Sequence, residues 1–402
     1  MDFSSPESAL RSLQRRPSVP QEFKDVTAAC EGPFLRDAKP ASLGGAEQEE
    51  LLLRLLRSDI WECVAVGFML SKHVVTTVPT SAVFQDAVLV LAELHLEHAE
   101  PRVRGLVAQT LGAIAKAEVL PPEGGSDDGA GAARGLGVYH RFQERLTESI
   151  QTNFERTCGT ITDRVSGPGK EVAVDDTTGW KALETSLLAL KEFVDAIGRP
   201  FLAHGGLTPG LLKYIVAGAT EHVNRHVREA SFKIITSVLQ AAGSLGPNEP
   251  PPEARLLADA FATAIGIGLQ DNWSQVRFAA SVACRALLTA LRDDTEWRES
   301  YYPLLLPRMC LNRYYMAEGV KLYSQETWRI FMADKGRLQV AVHAASVADY
   351  YAWASDADNH VVREAACHSI AEAAVKVDHA AMAPHVGRLL SALLVCFHDE
   401  SW

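Results

Sequence analysis

A short pattern that returns about every forty to fifty residues limits what this chain can fold into. In residues 269–288, LQDNWSQVRFAASVACRALL, a valine and an arginine precede a run of small apolar residues. Similar stretches recur along the chain, four of them with the Val-Arg pair intact and three in degenerate form. The positions that align with the arginine are Ala65, Arg104, Lys181, Arg228, Arg277, Lys321 and Arg363.

The spacing of these positions is that of a helical repeat. They are separated by 39, 77, 47, 49, 44 and 42 residues, so five of the six intervals lie between 39 and 49. Solenoid repeats built from paired helices have a period of about 40–47 residues. The longest interval predicts added loops: a disordered insertion at about 121–137, which is rich in Gly and Asp, and a long loop at about 157–178.

Each copy has the periodicity of an amphipathic helix. After Val276, small residues occupy the positions +3, +4, +7 and +8, which form one face of an α-helix. Small residues there allow a neighbouring helix to approach closely, and upstream Asp or Asn residues suit a helix N-terminus. A second helical pattern precedes most copies. Because no single pair can bury its own apolar face, the sequence predicts a stack of about seven helix pairs. The small residues after Val276 are Ala279, Ala280, Ala283 and Cys284.

An Asp or Asn near the turn, followed by Val-Arg and an Ala-rich helix, resembles the HEAT-type repeats of the HEAT/armadillo superfamily. The resemblance covers about residues 47–402 and implies an all-α, right-handed α-solenoid. Residues 1–46 are then an N-terminal extension, partly helical or disordered. Asp399 aligns with Asp271, and the apolar run at 389–397 would lack a covering helix. We therefore expect the array to be truncated at its C-terminal end.

In HEAT-type proteins, Asp and Arg side chains form a ladder between neighbouring repeats. His98 and His222 stand where Asp271 stands relative to Arg277, so we expect the ladder to be incomplete. If Arg277 is partly exposed, its replacement by Ala should cost only about 0–1 kcal/mol. The resemblance assigns the ladder role to Arg104, Arg228, Asp271, Arg277 and Arg363.

Composition excludes several classes of function. The formal net charge of −11 argues against a general nucleic-acid binder, which needs clustered Lys and Arg. No stretch approaches the roughly 18 apolar residues of a membrane span, and residues 1–20 contain no continuous apolar core. Seven scattered cysteines without a Cys-x-x-Cys pair predict reduced thiols. We expect a cytoplasmic or nuclear protein that needs no cofactor.

No motif for catalysis stands out. His222 and His226 are four residues apart, but no third metal ligand is evident, and polar turn histidines are the simpler interpretation. The HEAT-like enzyme deoxyhypusine hydroxylase binds iron through His-Glu dipeptides, and none of the 13 histidines here precedes Glu. A non-enzymatic scaffold that binds other proteins is the favoured function. The alternatives are an enzyme similar to bilin lyases or metal-dependent hydroxylases, and a nuclear-transport receptor.

Two short segments are candidate sites. Tyr and Trp residues concentrate between 297 and 353, where adjacent Tyr314 and Tyr315 would diverge by about 100° on a helix. We therefore expect that at most one of the two is fully buried, and Arg and Tyr are enriched at binding hot spots. Asn312, Arg313, Tyr314 and Tyr315 are thus a candidate partner-binding surface, with a packed corner between repeats as the competing interpretation. Ser18, which follows Arg15 and Arg16, is a candidate phosphorylation site.

Overall fold

Helices account for all the regular secondary structure of the described residues. The computed structural model describes residues 5–25, 46–77, 80–119, 130–162, 180–243, 245 and 252–398. No strand occurs in these ranges, which confirms the predicted all-α class. The chain divides into two compact units, Met1–Tyr214 and Ile215–Trp402.

Unit 1 contains the first three predicted helix pairs and an additional N-terminal helix. The second helices, α3, α5 and α7, pack against one another in that order, while α2, α4 and α6 pack on their partners. Its helices are α1 (Pro6–Gln14), α2 (Ala46–Leu56), α3 (Trp61–Thr77), α4 (Ala82–His95), α5 (Pro101–Val119), α6 (Ala130–Thr162), α7 (Trp180–Ile197) and α8 (Arg199–Ala203). Helix α9 (Pro209–Thr220) contains the boundary between the units.

Unit 2 contains the remaining pairs. The second helices α10, α12 and α15 form one row, and the first helices α11, α14, α17 and α20 form another. Helix α18 departs from this order, because it packs on α14 and α17. The helices are α10 (Arg225–Ala242), α11 (Pro252–Gly268), α12 (Ser274–Ala290), α13 (Thr295–Ser300), α14 (Tyr302–Asn312), α15 (Glu318–Phe331), α16 (Gly336–Val342), α17 (Ala344–Ala354), α18 (His360–Lys376), α19 (His379–Met382) and α20 (Val386–Cys396).

The helix register agrees with the sequence pattern. Val276 and Val362 begin the buried faces of α12 and α18, and the small residues that follow them are also buried. Asn224 and Asn359 cap α10 and α18, since each side-chain oxygen accepts a hydrogen bond from the backbone N–H two residues later. Seven second helices begin near the seven aligned positions, as the repeat analysis predicted.

The predicted disordered insertion is wrong for residues 130–137, which form the first turns of α6. Their glycines allow close packing against α5: a Cβ atom on Gly131 would lie 2.2 Å from the Val119 carbonyl oxygen, and one on Gly135 would lie 3.1 Å from that of Ala115. Helix α6 also continues to Thr162, so the long loop does not begin at 157. Residues 120–129 and 163–179 lie outside the described residues.

The N-terminal extension is partly helical. Helix α1 packs on α3 and buries Leu10 and Leu13. At the other end, α20 leaves Leu390 and Leu394 exposed. Asp399 lies outside the described residues, and continuation of the array remains a prediction.

Three thiols are free and buried, at Cys63, Cys284 and Cys310. Burial raises the pKa of the Cys63 thiol to about 11. Within the described ranges, no helix is both long enough and apolar enough to cross a membrane.

Replacing Ala280 by Leu should destabilise unit 2 by about 1–3 kcal/mol through overpacking. Ala280 is fully buried on α12, and a Cβ atom on the facing Gly268 would lie 2.7 Å from the Ala280 Cβ and 2.2 Å from Phe232 Cζ. Urea denaturation measures the change in unfolding free energy. Gln275→Leu, at an exposed position of the same helix, is the control. Equal stability of the two variants would mean that this helix register is misassigned.

Candidate protein-interaction site

Each well-preserved repeat arginine closes the turn that precedes its own helix. In α10, Arg228 Nη1 donates to the carbonyl oxygens of His222 at 2.9 Å and Val223 at 2.7 Å. These carbonyls lie six and five residues earlier in the chain. The same arrangement joins Arg104 Nη1 to His98 and Ala99, Arg277 Nε to Asp271, and Arg363 Nη1 to Ala357 and Asp358.

Three of these guanidinium groups, those of Arg104, Arg228 and Arg277, also reach the next repeat. Arg228 makes two hydrogen bonds to the Asp271 carboxylate, from Nε to Oδ2 at 2.7 Å and from Nη2 to Oδ1 at 3.1 Å. Asp271 is thus paired with the arginine of the preceding repeat. Arg277, in the same repeat as Asp271, contacts only its carbonyl oxygen, at 2.9 Å.

Other residue types replace Asp at equivalent contacts. Arg104 Nε donates to Thr185 Oγ1 at 2.6 Å, and its Nη2 lies 3.7 Å from a Glu184 carboxylate oxygen. Arg277 Nη1 donates to Asn312 Oδ1 at 2.7 Å. The ladder between repeats therefore uses a hydroxyl and an amide as well as carboxylates.

His98 and His222 take the turn-capping role of Asp271. The Asp271 carboxylate accepts a hydrogen bond from the backbone N–H of Trp273, two residues later. The Nδ1 atoms of His98 and His222 likewise accept from the N–H groups two residues later, each at 3.0 Å. An accepting Nδ1 requires the neutral ring. Accordingly, burial lowers the pKa of His222 to about 4.

Half of the predicted partner-binding segment is inaccessible. Asn312 is 0% exposed, and its amide joins Arg277 to the Leu269 carbonyl oxygen. Tyr315 is 2% exposed, and the Arg277 guanidinium lies 4.2 Å from its ring centroid. A partner-binding role is therefore wrong for Asn312 and Tyr315. They form the packed corner that was the competing interpretation.

Arg313 and Tyr314 lie beside α18. Arg313 Nη2 lies 2.5 Å from Glu372 Oε2, and its guanidinium lies 4.1 Å from the Trp328 ring centroid. The Tyr314 ring stacks on His368 at 5.7 Å. Both side chains are partly exposed, so they remain candidates for partner contact.

A cavity of about 500 Å³ opens between α18 and the segment that runs from the end of α15 into α16. Cys310 and Tyr351 line its buried part, and Arg337, Lys376 and Asp334 are exposed at its lining. The remaining lining residues are Arg313, Trp328, Ala333, Gly336, Val340, Ser369, Glu372, Ala373 and Val377.

Glu372 forms ion pairs with two cationic side chains at this cavity, Arg313 and Lys376. Burial alone would raise the pKa of Glu372, but Arg313 and Lys376 together bring it below its ordinary value. Glu372 is thus held ionised between two cations. An occupant of the cavity would therefore meet both cationic and anionic side chains.

Several arginine–aromatic contacts in unit 2 were not evident from the repeat pattern. Arg285 lies 3.5 Å from the Tyr323 ring centroid, and Arg308 lies 4.6 Å from that of Tyr350. Such contacts combine cation–π attraction with apolar packing. The clustering of tyrosines between 297 and 353 was the available signal, since it coincides with these arginines.

Two further sites considered from the sequence are a phosphorylation site and a metal site. Ser18 is exposed in the turn after α1, next to buried Val19, and its phosphorylation remains a prediction. Among the residues that the structure describes, no three or more His, Cys, Asp and Glu side chains gather into a possible metal site.

Arg277→Ala should cost about 3 kcal/mol, because removing a buried polar partner strands the groups it served. Arg277 is 0% exposed, so the premise of partial exposure, on which the smaller expected cost depended, is wrong. The substitution leaves Asn312 Oδ1 and the Asp271 carbonyl without this donor. Urea denaturation should show the loss, while Arg329→Ala, on the exposed side of α15, should change stability by less than about 0.5 kcal/mol. A loss below about 1 kcal/mol for Arg277→Ala would contradict this assignment.

His222→Asn should reduce the acid sensitivity of folding. His222 titrates near 6.5 when unfolded and near 4 when folded. The unfolded chain therefore binds the additional proton, and stability falls as pH drops from about 6.5 towards 4. This residue alone should account for about 2 kcal/mol between pH 7 and pH 5. Asn keeps an acceptor for the Asn224 N–H without titrating. Unfolding free energies at both pH values give the comparison, and an identical decline in both proteins would refute the assignment.

The comparisons with known proteins concern the fold. No family model matches the chain, and no curated protein matches it. Among solved structures, importin beta in an ammonium sulfate condition has a TM-score of 0.52 and 12% identity, with 98% of this chain and 49% of that chain covered. A structure of Kap95p with RanGDP has a TM-score of 0.49 and 13% identity, with coverage of 99% and 49%. A designed armadillo repeat protein has a TM-score of 0.35 and 12% identity, with coverage of 70% and 99%.

This chain spans about half the length of the importin beta that it matches. At that level of identity, the likeness concerns the fold alone. Together with the seven second helices at the repeat spacing and the four arginine-closed turns, it shows that the chain has a HEAT/armadillo-type α-solenoid fold.

Proposed function

We propose that this chain is a non-enzymatic scaffold, cytoplasmic or nuclear, that binds another protein through the second helices of unit 2. The observation that supports this most is the cavity between α15 and α18. Second helices α15 and α18 both contribute to its lining, and it is large enough to receive side chains of a partner. Anchoring of a few side chains in such recesses is how many protein interfaces gain affinity.

The surface of α12 and α15, the second of which supplies Trp328 to the cavity, has suitable chemistry. Phe278 on α12 is 39% exposed, and its ring meets that of Tyr323 edge-on at 5.4 Å. Leu322 on α15 is 53% exposed. Arg285 holds Tyr323 from one side and donates to its carbonyl oxygen at 2.9 Å. This combination of ordered aromatic, apolar and arginine groups is typical of interface hot spots.

The cavity wall is rigid enough to recognise a specific side chain. Trp328 is held between the Arg313 guanidinium and Gly336, where a Cβ atom would lie 2.5 Å from Trp328 Cζ2. Arg313 is itself fixed by Glu372. A wall that is ordered before binding lowers the entropic cost of association.

Reversing the charges at the cavity should abolish partner binding without unfolding the protein. The test variant is Arg337→Glu combined with Lys376→Glu, both exposed and lining the cavity. The matched control is Lys335→Glu combined with Arg329→Glu, which makes the same change in net charge at exposed positions outside the lining. Tagged proteins are used for affinity capture, captured proteins are identified by mass spectrometry, and melting temperatures are measured in parallel.

At least one protein captured by the wild type should be lost from the test variant and retained by the control, with melting unchanged. Equal capture by both variants would place binding elsewhere. Including a Ran-type GTPase in the capture experiment tests the nuclear-transport alternative, and metal and pigment analysis of the purified protein tests the enzymatic ones.

A further inference from the structure

A groove in unit 1 lies between the second helices α3 and α5. Each helix contributes residues at the spacing i, i+3, i+4 and i+7, which places them on one face. The groove encloses about 680 Å³, and Ser5 and Pro6 at the start of α1 complete its lining. The residues from α3 are Met69, Lys72, His73 and Thr76, and those from α5 are Arg102, Gly105, Leu106 and Gln109.

The charge of the groove is opposite to that of the chain. The protein has 50 acidic and 39 basic residues, yet the groove lining contains Lys72, His73 and Arg102 and no Asp or Glu. Glu100 lies 3.7 Å from Arg102 but is not part of the lining. A local basic surface on an acidic protein favours acidic partners and repels other regions of like charge.

The groove is also shaped for close approach. A Cβ atom on Gly105 would meet nothing within 4 Å, so the α5 backbone is accessible there. Lys72 Nζ donates to Gln109 Oε1 at 2.8 Å, which joins the two helices and orders the ammonium group. Met69 and Leu106 give the lining its apolar part.

We infer that this groove binds a short acidic segment of a partner protein, with Lys72 and Arg102 contacting its carboxylates and an apolar residue seated against Met69 and Leu106. The groove is separate from the unit 2 cavity, and the inference goes beyond the function proposed there. A protein segment is favoured over single-stranded nucleic acid, because the lining contains no Phe, Tyr or Trp side chain on which bases could stack.

The probe is a fluorescein-labelled peptide of repeated Glu-Glu-Leu, and binding to the full chain is followed by fluorescence anisotropy. The wild type should bind it, and the affinity should fall with added salt. A Lys-Lys-Leu peptide should not bind, and a Glu-Glu-Ser peptide should bind more weakly. Lys72→Glu with Arg102→Glu should weaken binding of the Glu-Glu-Leu peptide at least about tenfold.

Two matched controls separate the groove from general charge and from folding. Lys116→Glu with Lys213→Glu makes the same change in net charge at exposed positions of unit 1 outside the groove, and should leave binding unchanged. Gly105→Gln should fill the groove and weaken binding, whereas Gly137→Gln, at a second helical glycine with open space around it, should not. Neither glycine variant should lower the melting temperature, since glycine is a poor helix former.

The inference is overturned if the Glu-Glu-Leu peptide does not bind, or if it binds the groove variants as well as the wild type. It is also overturned if labelled oligo-dT binds instead and is lost with the same groove variants. The unit 2 variants Arg337→Glu and Lys376→Glu should leave peptide binding unchanged, so failure here is distinguishable from failure of the proposed scaffold function.

Discussion

The guanidinium group at the start of each well-preserved second helix is the interaction on which the stacking depends. Its Nη1 or Nε atom donates to carbonyl oxygens of the preceding turn, as Arg228 does for His222 and Val223. Without the arginine, these carbonyl oxygens would lack a hydrogen-bond donor. A cation there also suits the negative end of a helix dipole. Because the remaining N–H groups of Arg228 reach Asp271, one side chain fixes both the angle within a repeat and the register with the next repeat.

The sequence predicted the repeats well because the information for them is local. Helical periodicity, small residues after Val276 and a recurring arginine each depend on only a few neighbouring positions. The burial of Asn312 and Tyr315 could not be predicted in this way, since both are covered by Arg277 from the preceding repeat, 35 residues away in the case of Asn312. A search for the partner of Arg277 at 43 residues, the distance that separates Arg228 from Asp271, would have reached Val320 and missed Asn312.

Histidine can replace aspartate in the turn as a hydrogen-bond acceptor, but not as an ion-pair partner of the preceding arginine. Both accept a hydrogen bond from the backbone N–H two residues later, so His98 and His222 preserve the turn. Only a carboxylate, as in Asp271, can also form an ion pair with the preceding arginine. The turn therefore accepts either residue, whereas an ion pair from this position requires the carboxylate. Where histidine is used, the cost is a neutral ring that must stay unprotonated, which links folding to pH.

The cavity of unit 2 results from the position of α18, which departs from the row of second helices. Since α18 packs on α14 and α17, Arg313 at the end of α14 finds its acidic partner, Glu372, on α18. Trp328 is then left at the wall instead of under a neighbouring helix, held by Arg313 and by the close approach of Gly336. The turn that brings Gly336 there contains Ala333 with φ of 42°, a left-handed conformation that costs free energy in a residue other than glycine. Such a conformation persists only where the surrounding structure holds it, so the turn between α15 and α16 is fixed by its neighbours.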